Sequence, residues 1–276
     1  YEFSTDKAGT ITSNLTFTSS SAASSGENTI TFSTLAEGTY TGKTITVTDA
    51  AGNASNTLTI PDFVIDTTAP VISQVTAITT PGNDTTPSYV FTTSEAGTIT
   101  SNLTFTSSSA ASSGNNTITF DTLAPGTYTG KTITVTDAAG NASNTLTIPD
   151  FVIDTTAPTA AITYDSVGPY KNGETVVITA TFNEAMLDSP VPQITITGSG
   201  IANVNATNMT KVSTTVYTFS YSVPTGDGTG TITLTVGTDL AGNTITVNPT
   251  SGNTFTVDNT APVISQVTAI TTPGND

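Results

Sequence analysis

Acidic and amide side chains recur in this chain in three short motifs whose oxygen atoms could bind a metal ion. The first, Asp-Thr-Thr-Ala-Pro, places its acid at Asp66 and Asp154, and a variant form places one at Asp258. The second is a Glu-Ala pair at Glu95 and Glu184. The third, Asp-x-x-Gly-Asn, supplies three pairs: Asp49 with Asn53, Asp137 with Asn141, and Asp239 with Asn243. Carboxylate and amide oxygens are typical Ca²⁺ ligands, so the motifs predict a calcium site wherever the fold brings them together.

The spacing of these motifs follows a long internal repeat. Residues 1–70 and 89–158 align without a gap and differ at seven positions, a diverged unit follows over about 155–258, and residues 258–276 repeat 66–84 with one change. A period of 88 residues exceeds the roughly 20–50 residues of a solenoid repeat and suits one small domain. We therefore predict a domain over 1–66 that lacks its first strand, domains over 67–154 and 155–258, and over 259–276 the first strand of a following or neighbouring domain.

Alternating polar and apolar residues predict an all-β fold. The segment Thr44–Thr48 has the period of two expected of a half-exposed strand, and Thr, Val and Ile favour strands. Gly, Pro, Asn and Asp interrupt such runs at the spacing of about 8–12 residues that is typical of sandwiches. In the second unit we predict strands A, B, C, E, F and G at 71–78, 89–93, 98–103, 116–123, 128–137 and 142–153. In the third we predict B at 175–182 and F at 231–239.

An immunoglobulin-like sandwich would bring the motifs together, because its B–C and F–G loops lie at the pole where the linker from the preceding domain arrives. The first junction would then hold Asp66, Glu95, Asp137 and Asn141, and the second Asp154, Glu184, Asp239 and Asn243. Three adjacent carboxylates repel one another unless a cation lies between them, and Ca²⁺ accepts about six to eight oxygens in a flexible shell. The alternative is a metal-free Asx turn capped by Asp and Asn.

Composition argues against several function classes. The chain has no Cys, His, Trp or Arg, and its 21 acidic residues against five lysines give a net charge of −16. Without Cys and His, the commonest nucleophiles and general bases are missing, so we predict that the protein is not an enzyme. It has no basic face for nucleic acid. It also lacks the run of about 20 apolar residues that a membrane-spanning helix needs, so we predict no membrane insertion within this segment.

The Asp-Thr-Thr-Ala-Pro linkers, the Phe182-Asn183-Glu184 turn and the Thr-Asp-x-Ala-Gly-Asn loops resemble the bacterial Ig-like repeats of large RTX-type or biofilm-associated surface adhesins. The resemblance extends over essentially the whole chain. It implies tandem immunoglobulin-like β-sandwich domains in a linear array, an extracellular location at the cell surface, and Ca²⁺ that stiffens the junctions between domains.

The first unit departs from this pattern, because Lys7 stands where the second unit has Glu95. A calcium site there would combine Asp6 with Asp49 and Asn53, and its linker acid would precede Tyr1. Asp258 would be the linker acid of a following domain.

The register of the two ends predicts strand association. Tyr1 is equivalent to Tyr89 of strand B, so the first unit lacks strand A, whereas residues 263–270 repeat the strand A of 71–78. One arrangement is a covalent tandem array. The other is a filament of identical subunits, in which each donates 263–270 to the open sheet edge of the next.

We therefore predict a structural extracellular fibre or adhesin stalk, whose partners are neighbouring Ig-like repeats or identical subunits. The alternative from another class is a module that binds cell-surface or matrix polysaccharide through a sandwich face or the serine-rich segments 19–25 and 107–113. Lys43 and Lys131 could form isopeptide bonds, although a lysine at a strand end more often extends along apolar surface towards solvent.

Overall fold

The computed structural model describes residues 1–265, which form strands and no helix, and this confirms the all-β prediction. No part of this range is a helix long and apolar enough to cross a membrane. The chain forms two compact units, each made of several segments. Unit 1 comprises Tyr1–Thr76, Tyr89–Ile118 and Lys131–Ile148, and unit 2 comprises Ala77–Ser88, Thr119–Gly130 and the chain from Pro149 onwards.

The strands follow one another in chain order through the two near-identical repeats and the diverged one. In the first repeat they are β1 (Glu2–Thr5), β2 (Gly9–Ser13), β3 (Ala22–Ala23), β4 (Gly26–Thr29), β5 (Gly38–Tyr40), β6 (Lys43–Thr48), β7 (Leu58–Ile60) and β8 (Phe63–Ile65). In the second they are β9 (Ile72–Thr76), β10 (Ser88–Thr93), β11 (Gly97–Ser101), β12 (Ala110–Ala111), β13 (Gly114–Thr119), β14 (Gly126–Tyr128), β15 (Lys131–Thr136), β16 (Leu146–Ile148) and β17 (Phe151–Ile153). In the third they are β18 (Ala160–Tyr164), β19 (Thr175–Phe182), β20 (Gln193–Thr197), β21 (Val204–Asn208), β22 (Thr210–Lys211), β23 (Val216–Ser222), β24 (Gly228–Thr235) and β25 (Thr254–Val257).

Unit 1 contains the same four-stranded sheet twice, because the first and second repeats have almost the same sequence. The sheet β3-β2-β6-β7 of the first repeat has the strand order of β12-β11-β15-β16 in the second. The Thr-Ile-Thr-Val-Thr run buries Ile45 and Val47 in β6 and, identically, Ile133 and Val135 in β15. A second sheet, β13-β10-β9, also lies almost wholly in this unit.

Unit 2 has the larger core. Its four-stranded sheets β18-β19-β23-β22 and β21-β20-β24-β25 contribute buried aromatic and aliphatic side chains such as Ile178, Tyr217 and Ile232. Strand β19 has the bounds predicted for strand B. Strand β24 ends before the predicted strand F does, because Val236 and Gly237 both have positive φ.

Two strands predicted as continuous in the second repeat are interrupted. The predicted strand F divides into β14 and β15 at Gly130, whose φ of 61° leaves the extended region. The predicted strand G divides into β16 and β17 at Pro149, which has no N–H to donate to a sheet. The predicted boundaries of these two strands were therefore wrong.

The sheet edge of the first repeat differs from that of the second. Strand β10 lies between β9 and β13, whereas β1 is paired with β4 alone among the described strands. Most of the predicted strand over 263–270 lies outside the described residues. The domain boundaries at 66, 154 and 258 stay predictions.

Candidate metal centres

Two triplets of carboxylates meet in the structure, and both were predicted from the sequence motifs. Asp66, Glu95 and Asp137 each place one carboxylate oxygen within 4.8 Å of the others. A second set, Asp154, Glu184 and Asp239, does the same. All members of the first triplet lie in unit 1, and all members of the second lie in unit 2.

Strand pairing explains how distant residues of unit 1 come together. Strand β11 runs antiparallel to β15 and pairs Thr98 with Thr136, so the turn before β11, which holds Glu95, lies beside the turn after β15, which holds Asp137. Asp66 directly follows β8 and reaches these turns from the linker. In unit 2, a bridge between Met186 and Asp239 brings the corresponding turns together.

The Asp-x-x-Gly-Asn segment forms an Asx turn in all three repeats. In the second repeat, Asp137 Oδ1 accepts hydrogen bonds from the N–H groups of Ala139 and Asn141, each at 2.8 Å. Gly140, with a φ of 94°, supplies the left-handed conformation that closes the turn. The equivalent bonds from Ala51, Asn53, Ala241 and Asn243 are 2.8–2.9 Å long. Among the described residues, the turn occurs with a carboxylate triplet in the second and third repeats and without one in the first. The metal-free interpretation of the turn stays a prediction.

In the second and third repeats, the loop asparagine forms hydrogen bonds to both the linker and the loop. Asn141 Nδ2 donates to the backbone oxygen of Asp66 at 3.1 Å and to Asp137 Oδ2 at 2.9 Å. Asn243 Nδ2 makes the same two bonds to Asp154 and Asp239, at 2.9 and 2.8 Å. Because the amide nitrogens face these oxygens, both residues act as positioning groups in this arrangement. Their predicted role as direct calcium ligands stays a prediction.

The glutamate of each triplet has a raised pKa, because burial and the neighbouring carboxylates disfavour its charged form. Burial, followed by repulsion from Asp66, Asp137 and Glu37, raises the pKa of Glu95. Burial, followed by repulsion from Asp239 and Asp154, raises the pKa of Glu184. A hard cation with oxygen ligands fits such a set, since it would relieve this repulsion.

Glu37 is a neighbour that the sequence reasoning missed. Its carboxylate accepts hydrogen bonds from the hydroxyls of Thr67 and Thr68, at 2.7–3.1 Å, and these bonds lower its pKa. Glu37 thus holds the linker that carries Asp66. The available signal was that Glu37 is one of the seven positions at which the two near-identical repeats differ, with proline at 125.

The first repeat has a lysine where the second has its loop acid. Lys7 Nζ lies 3.9 Å from Asp49 Oδ2, and Asn53 Nδ2 bonds only to Asp49 Oδ2, at 3.2 Å, among the described residues. Within residues 1–265, neither Asp6 nor Asp258 joins a carboxylate triplet. Asp258 Oδ1 instead accepts the N–H of Thr260 at 2.9 Å. Metal binding at Asp6, Asp49, Asn53 and Asp258 stays a prediction.

Comparison with known proteins supports the resemblance drawn from the motifs. Residues 114–250 match the family model described as bacterial Ig-like domain (group 3), which confirms the similarity to bacterial Ig-like repeats. No curated protein matches the chain. Among solved structures, the chain is similar to the crystal structure of the chicken CNTN1 FN1-FN3 domains, with 9% identity and a TM-score of 0.26 over 92% of this chain and 99% of that one.

Proposed function

We propose that this chain of bacterial Ig-like repeats is part of an extracellular fibre or adhesin stalk, and that calcium rigidifies the junctions between its repeats. The observation that carries the proposal is the pair of carboxylate triplets, each of which joins one linker acid to two loop acids of the next repeat. Bacterial Ig-like domains commonly occur in surface or extracellular proteins, where calcium is available at the concentrations that weak extracellular sites require.

The residues of each junction have separate tasks in this proposal. The Asx turn fixes the position of Asp137, and the Asn141 amide holds the linker at Asp66 against that turn. Bound calcium would neutralise the three carboxylates and draw oxygens of the linker and both loops into one shell. The linker would then lose the freedom to swing relative to the repeat that follows it.

The charge of the chain supports a role for cations. The chain has only five lysines for its 21 acidic residues, so few positive side chains are available to neutralise its clustered acids. The family match supports a structural role, because Ig-like families are typically modules without catalytic activity. The polysaccharide-binding alternative stays a prediction.

A calcium titration by calorimetry on the 276-residue chain tests the metal sites. We expect two bound ions per chain, with Glu95→Gln and Glu184→Gln each removing one. Asp137→Asn and Asp49→Asn form a matched pair, because both residues cap the same turn and only Asp137 belongs to a triplet. Asp137→Asn should lose one ion and Asp49→Asn none. Equal effects of the two would show that the triplets are not the sites.

Small-angle X-ray scattering then tests the mechanical part of the proposal. We expect a narrower range of molecular dimensions with calcium than with chelator, and no calcium response in the Glu95→Gln/Glu184→Gln double variant. Calcium binding without any change in the scattering profile would leave the sites in place but contradict their role in stiffening the stalk.

A further inference from the structure

The second repeat contacts the third through the turn between β9 and β10. Residues 79–84 of this turn read Thr-Thr-Pro-Gly-Asn-Asp. They belong to unit 2, as do the linker that carries Asp154 and the loop that carries Asp239. The β9–β10 turn therefore shares a compact unit with the second carboxylate triplet, to which that linker and that loop each contribute one acid.

The β9–β10 turn holds the backbone of the linker from the side of the second repeat. The N–H of Gly82 donates to the carbonyl oxygen of Val152 at 3.0 Å, and the Gly82 carbonyl accepts the N–H of Asp154 at 2.9 Å. These bonds form a parallel bridge between Gly82 and Ile153. From the third repeat, Asn243 Nδ2 donates to the backbone oxygen of Asp154 at 2.9 Å. Both backbone polar groups of Asp154 are thus bonded, one to each repeat, without a metal ion.

Asn83 extends this contact into the loop of the third repeat. Its N–H donates to the carbonyl oxygen of Ala241 at 3.2 Å, and the N–H of Ala241 in turn donates to Asp239 Oδ1 at 2.8 Å. The side chain of Asn83 lies against the glycine of the same loop, because a Cβ on Gly242 would be 3.4 Å from Asn83 Nδ2. The second repeat therefore touches the segment that positions one acid of the triplet.

The third repeat shows which part of this arrangement belongs to the fold. Tyr170 forms the same kind of parallel bridge with Val257, and its carbonyl oxygen accepts the N–H of Asp258 at 2.9 Å. The residue after the bridge is Lys171 in the third repeat and Asn83 in the second. The hold on the outgoing linker thus recurs in a repeat of different sequence, whereas the contact made by Asn83 is particular to the second junction among the described residues.

We propose that the β9–β10 turn orders the second junction without metal, and that calcium binds there to a linker whose backbone is already held. Fixing a flexible segment costs conformational entropy, and a site that is held in its bound geometry before the ligand arrives avoids part of that cost. The first half of the proposal concerns the protein alone. The second half rests on the proposed calcium function.

The turn and the ion should support each other. Both stabilise one arrangement of the linker and the loop, so a variant that loses the contact of the turn should bind calcium more weakly, and calcium should restore order to that variant. The first triplet lies wholly in unit 1, and its affinity should not change. A junction that calcium alone orders would behave differently, because it would be disordered in chelator whether or not the turn is intact.

Distance measurements between two spin labels test the first half. The chain has no cysteine, so Thr122→Cys and Asn205→Cys, at exposed positions of the second and third repeats within unit 2, can be labelled selectively. In chelator, we expect a narrow distance distribution. Gly242→Asn should widen it at least about twofold, because asparagine tolerates the positive φ of 97° but its side chain displaces Asn83. Adding Asn83→Gly should narrow it again, since that change makes room and keeps the N–H.

A second pair of variants weakens the turn where it meets the linker. Thr80 Oγ1 accepts the N–H of Val152 at 2.9 Å, and Thr80→Val removes this acceptor while it keeps the shape of the side chain. It should also widen the distribution in chelator. Thr79→Val is the matched control, because Thr79 is exposed and no described bond joins its side chain to the linker, so the width should stay unchanged. Added calcium should narrow the distribution in both widened variants.

Calorimetric titration with calcium tests the second half. In the Glu95→Gln background, which leaves only the second triplet, Gly242→Asn should weaken calcium binding at least about threefold, and added Asn83→Gly should restore it. Gly140→Asn in the Glu184→Gln background controls for strain within the turn, because Gly140 has a φ of 94° and a Cβ there would meet no described atom within 4 Å. An equal loss of affinity in this control would contradict a linker held in advance.

The two proposals fail in different ways. A broad distribution in chelator for the labelled chain without further changes would overturn the ordering role of the turn, and so would widths that Gly242→Asn and Thr80→Val leave unchanged. Widening that Asn83→Gly does not reverse would assign the effect to the loop itself and would also count against the turn. Absence of calcium binding at both triplets would contradict the proposed function and the second half of this proposal, while the measurements in chelator would still decide the first half.

Discussion

The first and second repeats differ at only seven of their aligned positions, yet their edges and their acidic loops differ in structure. The second repeat has β9 on its sheet edge, and it holds Glu95 and Asp137 beside the linker acid Asp66. In the first repeat, β1 pairs with β4 alone among the described strands, and Lys7 lies 3.9 Å from Asp49. The comparison shows which features a repeat builds alone and which it receives from a neighbouring segment.

The Asx turn belongs to the repeat itself. Asp49, Asp137 and Asp239 cap their loops with the same bonds, although their surroundings differ. The carboxylate triplet, in contrast, needs a loop glutamate and a linker acid from outside the loop. In the first repeat, the Lys7 ammonium supplies the positive charge that we expect calcium to supply in the second.

The largest expected effect concerns β9, the strand that pairs with β10 in the second repeat. Ile72→Ala should destabilise the second repeat by roughly 2–5 kcal/mol, because it removes a buried side chain from a packed groove. Val71→Ala is the control and should leave the unfolding transition nearly unchanged, since Val71 is 66% exposed. Calorimetric unfolding at low concentration measures both. Equal effects would mean that burial of Ile72 by the groove does not stabilise the repeat.

The next effect concerns Lys7, the positively charged residue at the position where the second repeat has Glu95. Glu95→Lys should give the second repeat the charge pattern of the first and remove one of the two calcium ions that we expect. Lys7→Glu should not create a third site of equal strength, because the described residues bring no linker acid to Asp49. Calorimetric titration of both variants provides the measurement. A strong third site in Lys7→Glu would show that two acids and a turn suffice.

A smaller effect is expected where the linker is tied to the loop. Asn141→Ala should cost about 1 kcal/mol of stability, because it removes hydrogen bonds to Asp66 and Asp137. It should also increase protease cleavage at residues 64–70 in the absence of calcium. Asn53→Ala is the control, since Asn53 bonds within its own loop. Cleavage of the linker that rises equally in both variants would argue against the tie.

The smallest effect is expected at Glu37, which adds negative charge near Glu95 and accepts hydrogen bonds from the linker threonines. Glu37→Gln should change calcium affinity at the first triplet by no more than about fivefold, because exposed charge interactions are weak. Affinity at the second triplet should not change. Calorimetric titration in the Glu184→Gln background measures the first triplet alone, and titration in the Glu95→Gln background measures the second. A loss of all binding in the Glu184→Gln background would make Glu37 a ligand.

Much of the fold was predictable because its signals are local. Alternation identified β6, β10 and β19, and the motifs identified the acids that meet in both triplets. The interruptions at Gly130 and Pro149 were visible as residues but were merged into longer strands, since the apolar pattern continues on both sides. The direction of the Asn141 amide and the contact of Glu37 with the linker were not predictable, because they depend on segments far apart in sequence.

The sequence by itself determined the repeat, the strand-forming segments and the Asx turns, since each depends on residues within a few positions of one another. Only the tertiary structure decided which acids share a site. Asp49 and Asp137 occupy the same position of the same loop, yet among the described residues only Asp137 joins a carboxylate triplet. Burial and charge clustering are properties of the partner that a segment meets, and local sequence does not specify that partner.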